Sequence, residues 1–244
     1  MKRQIYLDNA ATTKIRPEAM AEYVRVSENL WGNPSSLHLL GSDAERVLTA
    51  SKQTILYTIG AKDSEIVFTA SGTEANNLAI MGRAFSKERY KRKAKIITTL
   101  GEHASVSEPL KQLERMGYKI TTLSTKSGRI DMDELMRELT DDVILVSIMM
   151  VNNEVGSVMP IQQMAKITHK LCPDAIFHTD AVQAFGQMPI NVDEYNIDML
   201  SASGHKLNGP KGIGFLYIRT GLKLRSFVHG GQQERGRRAG TDRN

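Results

Sequence analysis

Apolar residues recur along this chain in two alternating rhythms. From Ile66 onward, short apolar runs suited to buried strands alternate with longer stretches whose apolar residues return every three or four positions, as on one face of a helix. The runs at 66–69, 95–99, 119–123, 143–149, 175–178, 197–200 and 213–218 predict strands. The stretches at 73–83, 105–116, 131–139 and 160–171 predict helices between them, and in the second of these Val106, Leu110, Leu113 and Met116 mark the inward face. Alternation of this kind implies a mainly parallel sheet with helices on both faces, an α/β chain in three layers, α/β/α. Ligands of such sheets bind beyond the carboxyl ends of the strands. Polar residues just after each strand are therefore the place to look for chemistry.

Ahead of this alternation the pattern is different. Residues 1–14 read as an arm lying over a surface, since the apolar piece Ile5-Tyr6-Leu7 runs straight into small polar residues. Pro17 then opens a helix to residue 30, with Ala21, Val24 and Leu30 at helical spacing. The Gly/Pro/Ser loop at 31–36 ends it. A second helix is expected to start at Ser42 with Glu45 as its capping-box partner, to bury Ala44, Val47, Leu48, Ile55 and Ile59, and to stop at Gly60. Residues 15–244 are read as one large domain.

Composition narrows the class only a little. The 244 residues are 41% hydrophobic and 24% charged, ordinary for one folded α/β domain. The net charge of +5 is modest, and the basic run Lys87–Lys95 reads as a solvated helix end, so no direct nucleic-acid binding is expected. Cys172 is the only cysteine, which excludes a disulfide framework and a Cys-rich metal site and points to a reducing, cytoplasmic setting. It falls at a helix end, away from the strand carboxyl ends, and reads as a packing residue. With no long apolar run, no membrane span is expected.

The predicted strand ends do carry the polar residues. After Thr69 comes Ser71-Gly72-Thr73-Glu74, a glycine at a strand-to-helix turn with a hydroxyl at the helix start, which suits a phosphate. Later strand ends deliver Glu102-His103, then Val151-Asn152-Asn153-Glu154-Val155-Gly156, then His178-Thr179-Asp180-Ala181-Val182-Gln183, and last Ser203-Gly204-His205-Lys206. A lysine on such a rim is a candidate for Schiff-base chemistry with an aldehyde. These pieces match what pyridoxal 5'-phosphate requires. Lys206 takes the aldehyde and Asp180 the ring nitrogen; Gln183 and Asn153 reach the phenolic oxygen. His103 offers a face for stacking and a proton carrier. Gly72, Thr73, Ser203, Gly204 and His205 form the phosphate cup.

These segments, with Tyr6-Leu7-Asp8-Asn9-Ala10-Ala11-Thr12-Thr13, Gly32-Asn33-Pro34-Ser35-Ser36 and Gly230-Gly231-Gln232-Gln233-Glu234-Arg235-Gly236, resemble the cysteine desulfurases of the NifS/IscS-like group in order and spacing from residue 5 to 241. That group belongs to the class V, fold-type I pyridoxal phosphate enzymes. The resemblance implies a seven-stranded sheet and a homodimer. It implies conversion of L-cysteine to L-alanine, with the sulfur held as a persulfide and passed to an iron–sulfur scaffold or another sulfur-acceptor protein. It also implies that Thr241 reaches the cofactor phosphate of the second subunit, with Arg235 to Arg238 as a rim of the site. Members of the group carry their nucleophilic cysteine in a smaller C-terminal domain, so this stretch is expected to be the cofactor-binding domain without that nucleophile. Two other readings stay open: a class V relative such as a selenocysteine lyase or an aminotransferase, and a non-catalytic pyridoxal-phosphate-binding or docking module.

Overall fold

The computed structural model describes residues 5–62, 64–87, 94–226 and 228–241. Its strands are β1 (Ser64–Thr69), β2 (Lys95–Thr99), β3 (Lys119–Leu123), β4 (Val143–Ser147), β5 (Ile176–Asp180), β6 (Met199–Ser203) and β7 (Gly214–Arg219). They form one seven-stranded sheet in the order β1-β7-β6-β5-β4-β2-β3. β7 runs antiparallel to both neighbours, and the remaining pairs are parallel. β6 and β7 are therefore joined by a return loop, and a 3₁₀ turn at Gly204–Lys206 opens it. That puts Lys206 at the carboxyl end of β6.

The helices are α1 (Pro17–Asn29), α2 (Leu39–Thr58), α3 (Gly72–Ser86), α4 (Ala104–Arg115), α5 (Met132–Glu138) and α6 (Ile161–Leu171). Period-two alternation assigns successive strand residues to opposite cores. Ile96, Leu145, Met199 and Leu216 pack with Leu78, Ile80, Val106, Leu110 and Leu113 of α3 and α4. The next residue of each strand, Ile97, Val146, Leu200 and Tyr217, faces the other core, with Leu56 of α2, Leu135 of α5 and Met164 of α6. Three layers result. A fully buried leucine-sized side chain contributes about 1.5–3 kcal/mol, so each face holds its helices by many such contacts.

Some boundaries differ from the expected ones. α2 begins at Leu39 rather than Ser42, because His38 caps it: its Nδ1 accepts from the Gly41 N–H at 3.3 Å. Gly41 also packs so closely on the loop before it that a Cβ there would lie 2.3 Å from the Ser36 carbonyl oxygen. α1 buries none of its residues, and Val24 is 43% exposed. Its half-buried apolar side is Val26 with Leu30, which share a groove with Ala44, Val47 and Ile55 of α2, so the packed face is rotated from the one expected. β5 runs on through Thr179 and Asp180, which makes Asp180 the last residue of a strand and not part of the following loop. The basic stretch at 88–93 lies outside the described residues.

β7 threads between β1 and β6, and Gly214 is where it enters. A Cβ there would lie 2.7 Å from the Ala202 carbonyl oxygen and 2.7 Å from the Ser71 carbonyl carbon, both backbone atoms that cannot step aside. Gly214→Ala is therefore expected to destabilise the fold by about 1–3 kcal/mol, as overpacking does. Chemical denaturation reads this as a lower midpoint with an unchanged slope.

Candidate active site

The amino end of α3 is built by its own sequence. Ser71, extended at φ −171°, caps the helix by accepting the Glu74 N–H at 3.2 Å, while the Glu74 carboxylate accepts the Ala70 N–H at 2.6 Å. The first-turn amides of a helix lack intrahelical acceptors and lie at the positive end of its dipole. Gly72 sits against Val182, whose Cγ2 would be 2.6 Å from a Cβ at that position, so a side chain would fill the space in front of this helix end. Ser203 lines the same space. Its hydroxyl oxygen is buried without a hydrogen-bond partner among the described residues.

Asp180 ends β5 with only 6% of its surface exposed. Its carboxylate accepts from the Val182 N–H at 2.9 Å and from the Asn76 amide at 2.7 Å. Burial pushes its pKa up; those two donors, then His103 and Lys206, pull the other way. His103 caps α4, and its Nδ1 accepts from the Ser105 N–H at 3.1 Å and lies 2.8 Å from the Ser105 hydroxyl. Below the rim, His178 is fully buried between the hydroxyls of Ser147 and Ser201, and burial lowers its pKa to about 3, so it is a neutral structural residue.

Residues 8–13 cross the mouth of the site. The Lys206 amine donates to the Ala11 carbonyl at 3.0 Å and to the Ala10 carbonyl, and the Gln183 amide donates to Ala10 at 2.9 Å. Thr13 hydrogen-bonds to the His205 carbonyl through N–H and hydroxyl, both at 2.8 Å. Burial lowers the Lys206 pKa, opposed by Asp8 and Asp180. Burial also lowers that of His205, aided by Lys206 and Lys211.

Glu102 precedes His103 and is a second, half-buried carboxyl. It accepts from the Thr99 hydroxyl at 2.8 Å and from the Met149 N–H at 3.0 and 3.1 Å. Burial raises its pKa to about 8, and Asp180 adds to the rise. Desolvation thus raises the pKa of both neighbouring carboxyls, and Glu102 holds its proton at neutral pH. The folded pKa stands above the unfolded one, so the folded state keeps a proton that the unfolded chain releases. Stability is then expected to fall as pH rises from about 4.5 to about 8. Glu102→Gln is expected to flatten that part of a melting-temperature profile; a wild-type slope left intact in the variant would remove Glu102 as its source.

These groups meet in a cleft of about 490 Å³ at the carboxyl ends of the strands, where the topology rule puts it. Of the residues expected there, Gly72, Thr73, His103, Asn153, Asp180, Gln183, Ser203, His205 and Lys206 line it. Gly204 does not: it sits behind the wall, its N–H bonded to Ile213 at 2.9 Å, and serves the turn. Thr241 is exposed and outside the cleft. The arginine run divides, with Arg235 and Arg237 at 3.4 Å from Glu65 and Arg238 at 2.8 Å from Glu74 on α3. Asp8, Ala10, Ala11 and Ser105 line the cleft without having been expected to, and Asn76 stands behind it. Asn76 carried a weak signal, a polar residue on the buried side of a helix. Cys172 lies in the core at the end of α6, its thiol on the Thr140 carbonyl at 3.3 Å and its pKa raised by burial.

The residues present fit a phosphorylated aldehyde cofactor: an unpartnered buried hydroxyl and a helix amino end for the phosphate, a buried carboxylate for a ring nitrogen, and an amine of lowered pKa. The profile of the Aminotransferase class-V family matches residues 5–239, and the chain belongs to that family. Within it the similarity is to cysteine desulfurases. Over 244 residues the chain is 47% identical to cysteine desulfurase IscS of Dictyoglomus turgidum, covering 99% of this chain and 61% of the relative. It is 46% identical to putative cysteine desulfurase IscS 1 of Bacillus subtilis, covering 98% and 62%. Among solved structures, a NifS-like protein superposes with a TM-score of 0.94 at 37% identity, over 98% of this chain and 66% of that one. A structure titled SspA in complex with cysteine gives 0.89 at 40% identity, over 98% and 69%. The chain thus spans about three fifths of the curated relatives it matches.

Proposed function

We propose that this cleft holds pyridoxal 5'-phosphate on Lys206 and acts on L-cysteine as a desulfurase, releasing L-alanine and passing the sulfur to an acceptor thiol. One observation carries the reading: an amine of lowered pKa, a buried carboxylate and a buried hydroxyl without a partner among the described residues, beside a helix amino end, line one cleft. When bound, the cofactor supplies an electron sink for bonds broken at the substrate α-carbon. The chain's own residues do the rest. Lys206 holds the cofactor aldehyde and then takes and returns the α-proton. Asp180 keeps a proton on the ring nitrogen, and Gln183 and Asn153 donate toward the phenolic oxygen. His103, at the cleft wall, would offer its imidazole face to the ring and its Nε2 as a proton carrier. Gly72, Thr73, Ser203 and His205 would hold the phosphate, while Ala10 and Ala11 lie across the mouth on their bonds to Lys206 and Gln183.

The reading extends to a cytoplasmic homodimer in which the exposed Thr241 serves the phosphate of a second copy, and to an iron–sulfur scaffold or other sulfur-acceptor protein as the final recipient. Similarity to the named desulfurases supports the activity from which these points follow, and the exposure of Thr241 outside the cleft is compatible with the second-copy role. The test is an absorbance titration of the chain with pyridoxal phosphate, followed by L-cysteine with dithiothreitol as thiol acceptor. A visible band that cysteine changes, with alanine accumulating, is the expected result. A folded chain that gives no band would sink the proposal, and a band with turnover of another amino acid in preference to cysteine would move it elsewhere in class V.

A further inference from the structure

We propose that Asn76 and Ser105 are positioning residues of this site, which relay the orientation imposed by the Asp180 carboxylate to the His103 imidazole and hold its proton on Nε2. The relay is a chain of three contacts between β5, α3 and α4. The Asn76 amide nitrogen donates one hydrogen to Asp180 Oδ2 at 2.7 Å and the other to the Ser105 hydroxyl at 2.8 Å. Ser105 Oγ lies 2.8 Å from His103 Nδ1. Asn76 is fully buried, and Ser105 and Asp180 are 7% and 6% exposed, so water does not compete for the two Asn76 bonds, while the His103 ring at the end of the chain is open to solvent.

Each link settles the next by counting hydrogens. An amide nitrogen only donates, and both of its hydrogens are taken up here, one by Asp180 Oδ2 and one by Ser105 Oγ. The cost of that choice is visible, because Asn76 Oδ1 is left buried with no partner among the described residues. Such an orphan is destabilising, so the amide is held by its donors against the loss on its oxygen. Since Ser105 Oγ receives a hydrogen from Asn76, its own single hydrogen is free to point at His103 Nδ1. The Ser105 backbone N–H points at the same nitrogen, at 3.1 Å. A ring nitrogen that accepts two hydrogens carries none of its own, and the neutral imidazole therefore keeps its proton on Nε2. With the tautomer reversed, the ring N–H would face the Ser105 N–H and that bond would be lost.

Two groups that the proposed reaction uses separately are in this way joined by Asn76, which stands behind the cleft, and Ser105, on its wall. Asp180 is held by donors on one side, and His103 begins its work as a proton donor. The meaning of the relay for catalysis rests on the cofactor reading above; the position of the proton does not, and the two can be tested apart. The chain labelled with ¹⁵N in its histidine rings, without cofactor, is measured by long-range ¹H–¹⁵N NMR, with His103 assigned from the signal missing in His103→Asn. The expected wild-type result is a single tautomer protonated on Nε2. In Ser105→Ala, and in Asn76→Leu if it folds, the Nδ1-protonated form becomes detectable, and Ser105→Thr restores the wild-type pattern.

A wild-type ring protonated on Nδ1 would overturn the inference. So would a Ser105→Ala ring as fully Nε2-protonated as the wild type, since the backbone N–H alone would then hold it and the two side chains would only pack. Pyridoxal phosphate is then added to the same wild-type sample. No visible band with the Nε2 proton in place rejects the cofactor and leaves the relay standing; a band with a mixed tautomer rejects the relay alone.

Discussion

Lys206→Ala is expected to give no visible absorbance band with pyridoxal phosphate and no alanine from L-cysteine, a loss of at least about a thousandfold in rate, as for removal of a covalent anchor that also moves the proton. It is the one lysine lining the cleft among the described residues, so no second amine stands in. The variant should nevertheless fold as the wild type does. Lys206 bonds the backbone carbonyls of Ala10 and Ala11, but the segment it holds keeps the Gln183 bond to Ala10. It also keeps the Thr13 bonds to the His205 carbonyl and the Asn208 bonds to Thr13 and Lys14. A half-buried lysine of lowered pKa contributes little, so the denaturation free energy should move by less than about 1 kcal/mol. Loss of the band together with loss of the fold would show instead that Lys206 is structural. Alanine release from the variant at a wild-type rate would remove it from the reaction.

Asp180→Asn should separate stability from activity. Turnover is expected to fall about 100- to 1000-fold, the usual effect of removing one preorganised charge that faces developing charge in a site. Stability should hold or rise. Burial makes the Asp180 charge unfavourable in the folded state, and removing it removes that cost. The new amide also finds a partner once the Asn76 amide flips, because its N–H replaces the acceptor facing the Asn76 nitrogen, and Asn76 Oδ1 is a buried acceptor with no partner among the described residues. The Val182 N–H still has an oxygen to bond. The measurements are steady-state alanine release and a denaturant midpoint on the same preparation. A variant that turns over like the wild type would exclude Asp180 from the electron-sink role. One that is both inactive and unfolded would mean that the carboxylate holds α3 against the end of β5 through Asn76.

Much of this protein is legible in its sequence, for a physical reason. Burial on one face of a helix or strand forces a period into the residues, and periods of 3.6 and 2 can be read without coordinates. The strand-helix alternation from Ile66, the inward set Val106, Leu110 and Leu113, and the placing of polar residues after strands all follow from that local rule, and the structure agrees with them. So does the gathering of His103, Asp180 and Lys206, since parallel strands bring their carboxyl ends to one edge whatever lies between them in the chain. Ends were less legible. The His38 cap on α2 depends on the loop at 32–36 folding back on Gly41, and the packed side of α1 depends on where α2 lies; neither is a property of the helix's own residues.

By itself, then, the sequence determined the layers, the rim on which the chemistry is displayed and the residue types displayed there, because these depend on spacing and topology. Only the tertiary structure decided which polar atoms are satisfied and which are not. Asn76 between Asp180 and Ser105, the unpartnered hydroxyl of Ser203, the proton on Glu102 and the arm carbonyls on Lys206 join residues as far as 196 positions apart. Hydrogen bonds and desolvation act over a few ångströms, and a linear pattern does not record which distant atoms come that close.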